Sequence, residues 1–134
     1  SVQQVAVAMW AISASFGPHT PEQWLALSQA MVRPSPQGGF TLHYDPAIAV
    51  PFRTVTQESA QQGQAALWHL YDAVSCETLL LRGALSDLLS RQTAEAMTGR
   101  GPKARLVEIE GVGHAPTLIA QEQIDVVASF LLNP

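Results

Sequence analysis

Residues 78–87, TLLLRGALSD, and residues 104–114, ARLVEIEGVGH, decide the fold. The first begins as a short continuous apolar run stopped by Gly83, the pattern of a strand buried on both faces of a parallel sheet. Taken alone, such a run reads equally well as buried helix, and the residues downstream of it arbitrate. Ser90 to Thr98 has a serine at the N-cap position and Gly99 at its end, which predicts a helix. Ala104 to Ile109 is then a second strand-like run before Gly111. Strand, helix, strand predicts a right-handed parallel crossover.

Upstream, Ala60, Gly63, Leu67, Leu70 and Tyr71 recur at helical spacing between Glu58 and Ala73, with Trp68 beside them. Downstream, Gln121 to Leu132 sets Ile124, Val127, Ala128 and Leu131 on one face, with Glu122, Asp125 and Ser129 opposite, predicting a final helix packed on the sheet. From residue 58 onward the pattern is αβαβα, a piece of a doubly wound α/β sheet. The first fifty-odd residues read as helical with no strand partner of their own, so the expected boundary lies near Gln57, giving segments 1–57 and 58–134.

Within the first segment, Gln3 to Ser15 is an apolar stretch punctuated by Gly17-Pro18 and reads as a mostly buried helix. Thr20-Pro21-Glu22-Gln23 combines an N-cap hydroxyl, proline at the first helical position, an early acid and a glutamine placed to close a capping box, so a helix from Pro21 to about Val32 is expected. Pro34, Pro36 and Gly38-Gly39 end it, and Phe40 to Pro51 reads as irregular or extended chain with a turn at Asp45-Pro46. No basic residue precedes the apolar stretch from Val5 to Phe16, and it is too short to span a bilayer, which argues against a signal peptide or membrane helix. The opening at Ser1, directly in helical sequence, is read as that of a cut fragment.

The chain of 134 residues is 47% hydrophobic and 13% charged, enough apolar material to demand a core and to argue against disorder. Its net charge of -4 comes from scattered acids, and no basic run tracks a phosphate backbone, so neither a nucleic acid nor a membrane is an expected partner. The single cysteine, Cys76, precludes an internal disulfide and fits a reduced, cytoplasmic setting.

In open parallel sheets, functional side chains gather in loops at the carboxyl ends of strands. Two such loops are expected, one presenting Asp87 and the other His114. A carboxylate on one imidazole nitrogen fixes the tautomer and stabilises the imidazolium, leaving the other nitrogen to take a proton from a nucleophile. Spacing alone is equally compatible with Asp87 capping a turn and His114 being an ordinary loop histidine.

The stretch from Leu67 to Leu132 resembles the C-terminal portion of the α/β-hydrolase family, through LLLRGALSDLL (79–89) and LVEIEGVGHAPTL (106–118). The family order is strand, Gly-x-x-Ser-Asp, helix, strand, Gly-x-Gly-His and final helix. The resemblance covers about half of the chain and implies that Asp87 is the acid and His114 the base of a nucleophile-acid-histidine triad. It also implies a small-molecule substrate and no metal or organic cofactor. Residues 1–57 resemble, less specifically, the helical lid of such enzymes, which makes Trp10, Trp24 and Phe40 the expected substrate-pocket residues, with His43 and Tyr44 candidates for substrate contact or for loop packing.

No Gly-x-Ser-x-Gly nucleophile elbow appears in the sequence, and Cys76 precedes its strand at the end opposite to Asp87 and His114. The chain alone is therefore expected to be inactive. His69, Asp72 and Cys76 fall at helical spacing but read as a solvated face rather than a metal site. The leading expectation is a lid-bearing hydrolase of a small ester, thioester or related carbon-heteroatom or carbon-carbon substrate, whose nucleophile lies outside these residues. The competing one is a non-catalytic binding or assembly module on the same scaffold. A two-stranded sheet exposes unpaired edges, so self-association or pairing with an N-terminal half is expected.

Overall fold

A computed structural model describes residues 1–133. The chain divides into two compact units, one formed by Ser1–Ala14 with His19–Ser59 and the other by Ser15–Pro18 with the chain from Ala60 onward.

In the first unit, α1 (Val2–Ile12) packs on α2 (Pro21–Met31). The sequence-read capping box starts α2: the Gln23 backbone N–H donates to Thr20 Oγ1 at 3.2 Å, and the Thr20 N–H donates to Gln23 Oε1 at 2.8 Å. Trp24, 2% exposed, and Ser28 are the buried anchors of α2. The expectation of a mostly buried first helix is corrected: only Ala6 and Met9 of α1 are buried, and Val7 is 69% exposed. The physical reason is that α1 meets one helical partner within its unit, so one stripe is covered while its apolar residues lie all round.

The expectation that this region has no strand pair is also corrected. β1 (Val32–Pro34) pairs antiparallel with β2 (Phe40–Leu42), with Arg33 opposite Thr41. The turn is closed by Gly38 N–H to Ser35 O at 2.9 Å and Ser35 N–H to Gly39 O at 3.1 Å. Gly38 and Gly39 both adopt positive φ, 90° and 75°, a conformation that favours residues without a Cβ. Asp45 then caps a short 3₁₀ turn, accepting from the Ala47 N–H at 2.8 Å.

The second unit is built on α3 (Gln57–Asp72) from Ala60 onward, β3 (Leu79–Gly83), α4 (Arg91–Gly99), β4 (Arg105–Ile109) and α5 (Gln121–Leu132). β3 and β4 pair in parallel, Leu79 opposite Arg105 through Gly83 opposite Ile109. This is the mixed α/β architecture and crossover read from the sequence. Ser90 caps α4 as expected, accepting from the Thr93 N–H at 3.0 Å. Ala94, Ala104, Ile109 and Val112 form the buried apolar centre. Tyr71 of α3 donates its hydroxyl to the Met97 carbonyl of α4 at 2.8 Å, and the Arg100 guanidinium lies 4.2 Å from the Trp68 ring centroid. Arg100 also hydrogen-bonds Asp72, which holds that carboxyl below the usual carboxylate range.

The face of α5 differs from its sequence reading by one position. Gln123 is its buried residue, whereas Ile124 and Leu131 are exposed, Leu131 to 67%. The reason is a polar requirement: Leu118 sits at φ 55°, and its N–H is satisfied by Gln123 Oε1 at 2.8 Å. No helix among the described residues is long and apolar enough to cross a membrane.

Gly83 ends β3 against the β4 loop, where a Cβ would fall 1.9 Å from the Gly113 carbonyl oxygen and 2.4 Å from that of Val112. Both obstacles are backbone. Gly83→Ala should therefore destabilise the second unit by about 3 kcal/mol or more. Gly63→Ala, in mid α3 with nothing within 4 Å of its Cβ, should stabilise it by about 0.5–1 kcal/mol. Urea unfolding of the two variants checks the opposite signs.

Candidate catalytic site

The loops leaving β3 and β4 are joined backbone to backbone. The Ala84 N–H donates to the Ile109 carbonyl and the Leu85 N–H to the Val112 carbonyl, both at 2.9 Å, and the Gly113 N–H donates to Ser15 O at 2.6 Å. Parallel pairing thus delivers residues 84–89 and 110–117 to the same, carboxyl-terminal end of the two strands, as the sequence predicts.

The side chains that meet there are Ser86 and His114. Ser86 Oγ lies 3.1 Å from His114 Nδ1 and also accepts the Leu89 N–H at 3.1 Å. The ring nitrogen that the sequence reading assigns to Asp87 is therefore engaged by the residue before it. Asp87 is exposed in the same turn and makes no hydrogen bond or ion pair among the described residues. With Nδ1 held by Ser86, the other nitrogen, Nε2, is the one available to exchange a proton with a reacting group. A serine hydroxyl orients the imidazole but carries no charge to stabilise an imidazolium; the carboxylate in that turn belongs to Asp87.

Beneath the turn lies Arg82, 6% exposed. Its Nε donates to Leu89 O at 2.8 Å, and its terminal nitrogens to Ala84 O at 3.3 Å, Ser86 O at 3.4 Å and Glu108 Oε1 at 2.6 Å. Glu108 is Arg82's register partner on β4, and its second oxygen lies 3.5 Å from an Arg91 nitrogen. The sequence reading missed Ser86, Arg82 and Glu108 as site residues. A signal existed: LLLRG and RLVEI each carry a charge of opposite sign at the fourth place of a strand-like run.

The expected substrate-binding residues separate. Trp10 and Trp24 stack at a centroid distance of 6.3 Å and line a cavity of about 290 Å³ in the first unit, with Ala6, Val7, Pro21 and Leu25. Phe40, His43 and Tyr44 do not line it. Phe40 belongs to β2, the His43 N–H donates to Met31 O at 2.8 Å, and Tyr44 is exposed beyond the strand. Cys76 is exposed in the connection entering β3, at the end of the strand opposite to Ser86 and Asp87. No group of three metal-ligating side chains occurs among the described residues, and Asp72 is engaged by Arg100.

No family model matches the chain. It is 48% identical over 123 residues to the 3-hydroxybutyrate-oligomer hydrolase of Cupriavidus necator, a match spanning 89% of the chain and 42% of that protein. Among solved structures, an α/β hydrolase from Novosphingobium aromaticivorans is similar at 32% identity with a TM-score of 0.78, over 98% of the chain and 46% of its own. An esterase of M. tuberculosis shares the fold at 20% identity and a TM-score of 0.67, over 99% of the chain and 42% of its own. The chain spans less than half the length of each of these relatives.

Ser86→Ala removes both the acceptor for the Leu89 N–H and the partner of His114 Nδ1. It should cost about 1 kcal/mol of stability. In ¹⁵N spectra, the ring resonances of His114 should move while those of His19, His43 and His69 stay in place.

Proposed function

The chain is an α/β-hydrolase-fold protein, matching the C-terminal portion of that fold, and from this premise we propose that it supplies the acid and base of an ester hydrolase's catalytic triad. His114 is the general base and Asp87 the acid, in a site whose nucleophile lies outside these residues. The observation that carries the reading is the juxtaposition of the Ser86-Asp87 turn with His114 at the carboxyl ends of adjacent parallel strands, Ser86 Oγ lying 3.1 Å from Nδ1.

In this reading His114 Nε2 takes the proton of the attacking hydroxyl as the carbon-oxygen bond to the acyl group forms. It returns that proton to the departing alcohol as the ester bond breaks. A water molecule, deprotonated by the same nitrogen, then attacks the acyl carbon, and His114 returns that proton to the nucleophile's oxygen as its bond to the acyl group breaks, releasing the acid. Asp87 offsets the positive charge that His114 carries between these transfers. Neither metal nor organic cofactor is needed for this chemistry. The substrate class we assign is a short oligomer of 3-hydroxybutyrate or a related hydroxyacid ester, supported by the Cupriavidus necator relative. The first unit is the lid-like segment, its Trp10–Trp24 cavity suited to an apolar group. A cytoplasmic setting accords with the single cysteine, which is free.

The test is hydrolysis of the 3-hydroxybutyrate dimer and trimer by the intact protein. His114→Ala and Asp87→Asn should each lower kcat by about 10⁴-fold, the scale of triad disruption in serine hydrolases. Wild-type turnover in His114→Ala would rule the assignment out.

A second reading, an assembly module, is favoured by the exposed apolar residues Leu67 and Leu70 of α3 and Leu131 and Leu132 of α5. It is favoured also by a parallel sheet in which, among the described residues, β3 and β4 pair only with each other. Here the isolated 134-residue chain pairs with a second copy or with the remainder of a hydrolase fold. Sedimentation velocity at micromolar concentration should then give a dimer or larger species, and a strict monomer would count against it.

A further inference from the structure

We propose that Arg82, neutralised by Glu108, is the positioning residue that shapes the acid turn and so sets the hydrogen bond between that turn and His114. The proposal rests on the triad reading above for its catalytic consequence, while its structural consequence at His114 is independent of it.

Three of the four groups that the Arg82 guanidinium bonds are carbonyls of the turn itself: Ala84, Ser86 and Leu89. The turn is therefore wrapped around a planar, five-donor template, its backbone oxygens directed inward at one cation. With the Ser86 carbonyl directed inward, its hydroxyl remains to meet His114 Nδ1. Glu108 supplies the anion across the sheet, where the parallel register places it opposite Arg82, and Arg91 approaches its other oxygen from α4.

An apolar side chain in place of Arg82 would fill the volume but leave three inward carbonyls without their donor. A lysine would carry the charge yet present a single nitrogen, unable to span acceptors on residues 84, 86 and 89 together. The alternative is that Arg82 only stabilises the sheet. In that case a folded variant would keep the wild-type behaviour of His114.

The experiment is carried out on the intact protein, with Arg82→Met, Arg82→Lys and Glu108→Gln compared by kcat and KM for the hydroxybutyrate dimer and by the NMR pH titration of the His114 ring. Arg82→Met should lower kcat by about 100-fold with KM changed less than about 3-fold, the consequence of a site displaced by about an ångström. Arg82→Lys should recover less than about a tenth of the lost activity, and both variants should displace the His114 titration. Should Arg82→Met not fold, Arg82→Lys and Glu108→Gln carry the same readouts. Folded Arg82→Lys with the wild-type kcat and His114 titration would overturn the proposal. A displaced titration in a protein whose His114→Ala variant hydrolyses normally would instead uphold the positioning role and remove the triad reading.

Discussion

Everything at the candidate site depends on how closely two backbone segments approach where β3 and β4 end. Gly83 has no room for a side chain because the Val112 and Gly113 carbonyls occupy that space, and the Ala84 and Leu85 N–H groups are spent on Ile109 and Val112. A parallel pair of strands places successive loops at one end, but proximity of ends does not by itself bring side chains within hydrogen-bond distance. Here the interlocked backbones bring Ser86 and His114 to 3.1 Å although they are 28 residues apart.

The same apposition explains why a charged pair sits in a place that apolar packing could fill. A buried ion pair contributes little net stability once desolvation is counted, and an apolar pair of similar volume is often as stable. Arg82, neutralised by Glu108, does something an apolar side chain cannot: it donates to the Ala84, Ser86 and Leu89 carbonyls and fixes the course of the turn. On the other loop, buried Gln123 does the equivalent for Leu118, whose left-handed backbone follows His114 by four residues.

Much of this was legible in the sequence because it was encoded locally. The Thr20–Gln23 capping box, the Ser90 cap and the αβαβα order rest on side chains within a few residues of what they stabilise. The hairpin of Val32–Pro34 and Phe40–Leu42 was hidden because its strands are three residues long, too short for alternation to show, and the first ends in proline. The α5 face was misread because hydrophobicity alone ranks Ile124 and Leu131 above Gln123, and the demand that buries Gln123 comes from a backbone N–H elsewhere. That the Asp87 and His114 loops meet at one end of the strands was legible, but the engagement of Nδ1 by Ser86 depends on the path of the turn, which Arg82 shapes from beneath.

If His114 is the proton-transfer group of a hydrolase, its protonation state must govern turnover. The most direct measurement compares the pH dependence of kcat/KM for hydroxybutyrate-ester hydrolysis by the intact protein with the NMR titration of the His114 ring in the free protein. kcat/KM reports ionisations of the free enzyme. Activity should rise as His114 loses its proton, with coincident midpoints. Hydrolysis that proceeds unchanged while His114 passes from neutral to protonated would contradict that role.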